Sequence, residues 1–558
     1  MSRSALPRAR HQPGLAEDRK YQRRRRIRRR RAAVGSIVLA LIAAGVLAAT
    51  QTMSSRSTAP RGSASRSHPY AKRAIRPATF LGSDGVEARW VITENAKPGT
   101  TAWQITSPGG AGGIDGYASA VQATQGQEVT LFVSTAAPSY QVMAFRMGYY
   151  GGNGGRLVWR SATETGVVQP SCPLAAGINM IQCSWAPSLH FMVSSKWVQG
   201  DYLLKLVGSG GQQSYVPLTV WDPASHATYL IQNSVLTWEA WNTYGGYDFY
   251  GGGSPGTTLT YDARARVVSF DRPYDSSFGS GAADFLGEEY PLVLFAEQHG
   301  LDVTYGTDIT TAEQPTLLEN HRVFLSLGHD EQWTLEMRNA AINALSDGVN
   351  LIFFGASPVL RKVRLQPSPL GPDRQEVNYR DPQEDPLYAT DPAQVSQNQW
   401  SQPPANWPPS ELVGSNYLGY GIDAPLVVSD ASAWLYVGTG LKNGAELPGV
   451  IRSDFNGYVP SSADPANVEI LAHSPATPST GTPGHADTVY YTDATSNGGV
   501  FSTGTNGWIP AMGCSPPSAT CPVVALDQMT ANLLRLFGSG PAGILEPSVA
   551  NWQSYYTG

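Results

Sequence analysis

The sequence predicts a multidomain fold, all-β and then α/β: a β-sandwich followed by a domain on a parallel sheet, both behind one N-terminal transmembrane helix. Three observations predict it. An arginine-rich tail runs straight into eighteen uncharged, mostly apolar residues. Apolar and polar residues alternate between about Phe80 and Asp222, and beyond Asp222 strand-like runs are separated by a helical period.

Residues 1–31 hold thirteen Lys or Arg, including Arg23 to Arg26 and Arg28 to Arg31, against only Glu17 and Asp18, a net of +11. The 558 residues total −5, so the remainder carries −16 and the basic charge is local. An apolar span follows at once and the rest is acidic, so no nucleic-acid partner is expected. Residues 32–49 contain no charge and reach about 27 Å as a helix, enough to cross a bilayer. Positive flanking charge stays cytoplasmic, which makes this a single-pass cell-membrane protein with extracytoplasmic C-terminal domains. The length of the tail and span favours an uncleaved anchor; cleavage at the small residues near Ala48, giving a secreted protein, is the alternative. Ala32 and Ala33 stand where a twin-arginine signal needs bulky residues. Residues 50–77, rich in Ser, Pro and Arg, cannot bury a core and read as a disordered stalk.

The four cysteines form two close pairs, Cys172 with Cys183 and Cys514 with Cys521, without zinc-like spacing. An exported chain meets an oxidising compartment, and short loops close at the lowest entropy cost, so two local disulfides are predicted. No cysteine nucleophile is therefore expected.

Residues 78–222 are assigned to the sandwich on runs such as Val129 to Val133 and Tyr202 to Val207. The turn Met147 to Gly155 carries aromatics that serve either as a glycan-stacking platform or as packing against the next domain. Residues 223–545 form the α/β domain, with 546–558 as a tail. Its clearest unit is a strand Val323 to Leu327, the loop Gly328 to Trp333, a helix capped by Thr334 with Met337, Ala341 and Leu345 on one face, and a strand Val349 to Phe354. That succession is a βαβ unit, whose ligands sit beyond the strand carboxyl ends, where His329, Asp330 and Glu331 fall. Val468 to Ala472 and Thr488 to Tyr491 add strands, and Leu526 to Phe537 a closing helix.

Two more polar clusters stand out: Trp238 to Tyr250, dense in aromatics and hydroxyls, and Asp284 to Pro291, opening a helix with Tyr290 and Leu294 on one face. From spacing alone, His329 and Glu331 could hold a metal, act as acid and base, or cap the helix. Gly355 to Val359 lacks the last glycine of a nucleophile elbow, and Gly538 to Gly543 follows a helix and contains proline, unlike a dinucleotide fingerprint.

Several motifs occur in order: Thr237-Trp238 with Ala240-Trp241-Asn242 and Gly245-Gly246, Ser269 to Tyr274, Asp284-Phe285 with Glu289 to Val293, Gly328 to Glu331 with Trp333, and Asn350-Leu351 with Phe353 to Ala356. Together with Glu94-Asn95, Pro98 to Thr101, Gly116 to Ser119 and Arg146 to Gly152, they resemble the N,N-dimethylformamidase large (β) subunit. The resemblance implies a class I glutamine amidotransferase-like three-layer α/β domain and a hydrolase of non-peptide C–N (amide) bonds. It further implies mononuclear iron held by two tyrosines and a glutamate, which map here to Tyr250, Tyr290 and Glu331, with His329 assisting water attack. Hard oxygen donors of this kind suit ferric iron. Ser357 stands where that family commonly has Asn, and no counterpart of its small subunit is present. The expected substrate is a small amide or a cell-envelope component; the competing expectation is a non-catalytic glycan-binding or envelope-organising protein. A reporter fused after Gly558 should be active only outside the cytoplasm; an active cytoplasmic fusion would refute the anchor.

Overall fold

The computed structural model describes residues 78–556 apart from 109–112, 255–256, 462, 480–481 and 514–521. The predicted membrane span, the stalk and the Cys514–Cys521 pair lie outside the described residues. Among the described residues no helix is long and apolar enough to cross a membrane.

Two sheets make the sandwich. One holds Ile114–Ala118, Glu128–Thr135 and Leu189–Met192; the other holds Ser139–Met147, Gly155–Arg160, Gly200–Gly208 and Gln213–Val220, with Gln122–Ala123 at its edge. Leu131, Val133, Val142, Ala144, Leu204 and Leu206 close the core between them. On the second sheet the alternate side chains Phe145, Met147 and Leu203 point the other way, into the core of the α/β part. Strand Gly200–Gly208 is therefore buried on both faces, so its sequence reads as a nearly unbroken apolar run. Cys172 and Cys183 are disulfide-bonded, as predicted.

The α/β part is built on seven strands: β1 Tyr229–Asn233, β2 Val303–Thr307, β3 Val323–Leu327, β4 Asn350–Phe354, β5 Glu469–Ala476, β6 Gly484–Thr492 and β7 Gly499–Ser502, in the order β2-β1-β3-β4-β7-β6-β5. Pairing is parallel from β2 through β7 and antiparallel for β6 and β5. Four helices matter below: α1 Val235–Ala240, α2 Tyr290–Gln298, α3 Leu335–Ser346 and α4 Val523–Gly538. α3 joins β3 to the parallel β4, and the Thr334 hydroxyl caps it by accepting from Met337 N at 3.2 Å. It buries Met337, Ala341 and Leu345, the face its sequence period marks. The chain leaves β1 toward β2 on one side and β3 toward β4 on the other. The crevice beyond the carboxyl ends of β1 and β3 is thus a topological switch point, where such sheets bind ligands.

Sandwich and sheet meet at a buried ion pair. Arg146, at the end of strand Ser139–Met147, donates from Nη2 to Glu297 Oε1 of α2 at 2.6 Å, and both side chains are fully buried. Tyr305 Oη donates to the same carboxylate at 2.6 Å, and Asn95 Nδ2 also donates to it. Tyr150, from the Gly-rich turn, is only 2 % exposed; it accepts from Arg146 Nη1 at 2.9 Å and donates to Glu94 Oε1 at 3.0 Å. That ring packs at the junction and is not a glycan platform. Glu297→Ala strands the Arg146 guanidinium without its counter-charge, so urea denaturation should show a loss of about 3–5 kcal/mol; a loss below about 1 kcal/mol would show that the pair does not hold the junction.

Candidate functional site

The crevice at the switch point is assembled from several segments. β1 delivers Ser234, whose hydroxyl donates to the Leu327 carbonyl at the end of β3 at 2.6 Å, tying the two strand ends together. Glu289, just before α2, accepts from Asn233 Nδ2 at 2.8 Å, Ser234 N at 3.1 Å and Trp238 Nε1 at 2.9 Å, which fixes α1 and α2 around the same point. The loop after β3 then splits its polar side chains. Asp330 turns inward, accepting from Gln232 Nε2 at 3.0 Å and Ser326 Oγ at 2.7 Å, and burial pushes its carboxyl up to about 7. His329 and Glu331 face the crevice. Glu331 N donates to Thr237 Oγ1 of α1 at 3.0 Å, so the loop is held in place by α1 and does not serve as a helix cap.

The loop after β4 approaches closely because Gly355 has no side chain: a Cβ there would lie 1.9 Å from the Gly328 carbonyl oxygen. This brings Ser357, at φ 59°, against the carboxylates; its hydroxyl lies 3.2 Å from Asp454 Oδ2 and 3.5 Å from Glu331 Oε1. Asp454 arrives on a long antiparallel hairpin, Asn416–Val427 with Glu446–Gly457, whose register shifts between Tyr420 and Ile422, opposite Ser453 and Asp454. Ser357, Val359, Arg380 and Ser453 all have positive φ without being glycine, a concentration of backbone strain typical of functional sites.

Tyr250 and Glu331 are brought into contact, the phenol hydroxyl against Glu331 Oε2. Asp248 sets this up by accepting from Tyr250 N at 2.7 Å, an Asx turn that presents the ring. The ring is stacked on Trp241, with centroids 3.7 Å apart, and Arg380 covers it at 4.4 Å. Burial pushes the Tyr250 phenol up and the Glu331 charge adds to this, while Arg380 and Arg361 pull it back. Arg361 Nε sits 3.8 Å from Glu331 Oε2.

Tyr290 does not join them. Its hydroxyl donates to the Gly154 carbonyl of the sandwich turn at 2.7 Å, and its ring meets Trp103 edge-on. Pro291 starts the helix and Glu289 is pinned by three donors, so the residue between them faces the sandwich. The structure thus does not bring Tyr290 together with Tyr250 and Glu331, the two residues named with it from the motif. Two of the three oxygen donors expected for iron, Tyr250 and Glu331, converge, with the Ser357 hydroxyl and Asp454 adjacent, a set whose chemistry suits a ferric ion; Tyr290 stands apart from them.

Sequence reasoning did not single out the neighbours Glu288, Asp454, Arg361 and Arg380. Glu288, inside a cluster already marked as polar, holds His329 Nδ1 at 2.5 Å; His329 Nε2 faces Asp454 Oδ2 at 4.0 Å. Burial alone would push the imidazole down, but Glu288, with Asp454 and Asp284, takes it up to about 10. Burial pushes Asp454 up to about 6, with Glu331 adding and His329 opposing. Asp284, Glu288 and His329 also bring their ligand atoms within 4.8 Å of one another, a geometry that could take a cation. Asp454 had no local signal, since only the hairpin brings it here. A cleft of about 700 Å³ lined by Trp407, Leu412 and Tyr491 lies elsewhere and shares no residue with this site.

Residues 141–521 match the family described as N,N-dimethylformamidase beta subunit-like, C-terminal. No curated protein matches. Among solved structures, a cycloisomaltooligosaccharide glucanotransferase of Paenibacillus sp. complexed with cycloisomaltoheptaose aligns at 8% identity over 57% of this chain and 62% of that one. Its TM-score is 0.15, too low to bear on fold or activity.

NMR titration should find the His329 imidazole protonated throughout the interval between its ordinary 6.5 and about 10. Glu288→Gln removes the carboxylate that holds the proton and should bring the midpoint down; an unmoved midpoint would show that Glu288 is not its counter-charge.

Proposed function

The chain belongs to the N,N-dimethylformamidase beta subunit-like family, and on that premise we propose that it is an iron-dependent amide hydrolase, exported and held at the membrane by residues 32–49. The observation that carries the reading is the Tyr250–Glu331 contact at the switch point, with the His329–Asp454 pair beside it. The parallel core and the position of the crevice support the glutamine amidotransferase-like reading of the α/β part.

Tyr250 and Glu331 would hold a ferric ion, and the chemistry it would supply there is Lewis-acid polarisation of the amide carbonyl. The rest of the chemistry is carried by the chain's own residues. Asp454, with a carboxyl near 6, accepts a proton from the attacking water and returns it to the departing amine. The His329 imidazolium, oriented by Glu288, places positive charge where the carbonyl oxygen becomes negative. The Ser357 hydroxyl, which also meets the Ala356 carbonyl at 2.6 Å, lies 3.2 Å from Asp454 Oδ2 and fixes the wall against which that carboxylate rests.

Four variants test the site. Glu331→Ala and Tyr250→Phe should lose iron, or any visible phenolate absorbance, with the fold retained. Tyr290→Phe should keep the iron and lose about 1 kcal/mol, the worth of its hydrogen bond to Gly154. Asp454→Asn should lower turnover by roughly 10²- to 10⁴-fold, the range for one acid/base group. Purified protein that never contains iron, or Glu331→Ala with unaltered iron, sinks the reading.

A further inference from the structure

Beside the Tyr250–Glu331 contact stands a guanidinium that covers the Tyr250 ring but is left without a counter-charge. Arg380 is 5 % exposed, yet among the described residues it makes no ion pair within 4.0 Å. Its one side-chain hydrogen bond runs from Nη1 to Asn398 Oδ1 at 3.0 Å. Nε and Nη2 are both buried and have no partner. These two N–H groups lie on one edge of the guanidinium, the fork that meets both oxygens of a carboxylate at once.

Arg361 stands next to it and is held by the same residue, donating from Nη1 to Asn398 Oδ1 at 2.7 Å and to the Asn398 carbonyl at 3.1 Å. One asparagine thus fixes two like charges side by side, against their mutual repulsion. Neither carboxylate that feels Arg380 forms an ion pair with it within 4.0 Å. Burial pushes Glu376 well above the usual carboxylate range, and Asp248 Oδ1 accepts from the backbone N–H groups of Tyr250 and Gly251. Folding alone gives no reason to retain such a charge, since an unpaired buried guanidinium destabilises the chain. The location supplies the reason, because Arg380 lies on the face of Tyr250, whose hydroxyl meets Glu331.

We propose that the amide taken by this site carries a carboxylate, received by the Nε and Nη2 fork of Arg380 with Arg361 beside it. The proposal rests on the amide-hydrolase reading above and narrows its substrate class to N-acylated amino acids and amides of like charge, in place of neutral formamides.

The test uses the full-length protein and two probes of matched size, N-formylglycine and N-formylglycinamide, which differ in one anionic oxygen. Calorimetry should show the carboxylate bound roughly 10- to 100-fold more tightly, the span of one hydrogen-bonded charge contact. Arg380→Gln should bring that ratio close to one. Arg380→Lys, which keeps the charge and loses the fork, should fall between. Melting curves confirm that each variant folds, and kcat/KM on both probes is read in parallel. Equal binding of the two probes by the wild type means the orphan N–H groups hold water only and overturns the proposal, as does a ratio unaltered in Arg380→Gln. A carboxylate preference in binding that is lost in Arg380→Gln, without turnover of either probe, keeps the carboxylate subsite and counts against the hydrolase reading alone, so the two failures are distinguishable.

Discussion

The structure depends on one fully buried ion pair, Arg146 with Glu297. Taking both charges out of water costs several kcal/mol per ion, and only close geometry with further donors offsets it. Tyr305, Asn95 and Tyr150 complete that geometry. The consequence is positional. Glu297 fixes α2, the segment just ahead of α2 presents Glu288 and Glu289, and these orient His329 and the ends of β1 and α1. A charge on a sandwich strand therefore sets the placement of an imidazole beyond the sheet.

Local pattern made much of the fold legible. The unit Val323 to Phe354 was readable because apolar period, Thr334 cap and Gly348 just past the helix end, at φ 85°, agree, and the placement of His329 and Glu331 beyond a strand end follows from it. Run Tyr202 to Val207 was readable as strand, although its lack of strict alternation showed only in the structure to reflect burial on both faces. Tyr250 was placed by a family motif and meets Glu331 across a separation of 81 residues. Tyr290, named on the same grounds, faces the sandwich because the helix start rotates it there. Motif adjacency fixes which segment comes near a site. It does not fix the direction of a side chain at a helix start.

Asp454, Arg361 and Arg380 were illegible for another reason. Each sits on an irregular segment inserted between β4 and β5, where register shifts and positive φ set the direction of the side chains. No periodicity encodes such geometry. The same irregularity gathers charges of both signs around Glu331, and that is what allows a carboxyl near 6 and an imidazole near 10 to coexist within 4.0 Å.

The Arg146–Glu297 pair also bears on descent. Two domains joined only by a linker can be exchanged, duplicated or lost separately, because each leaves behind a surface that water already wets. Here, removing either partner would leave the other with a naked charge in an apolar interior, so gene truncation or recombination between them is penalised at once. On this physics sandwich and sheet form one heritable unit, in which a change to either residue is tolerated only with a compensating change in the other.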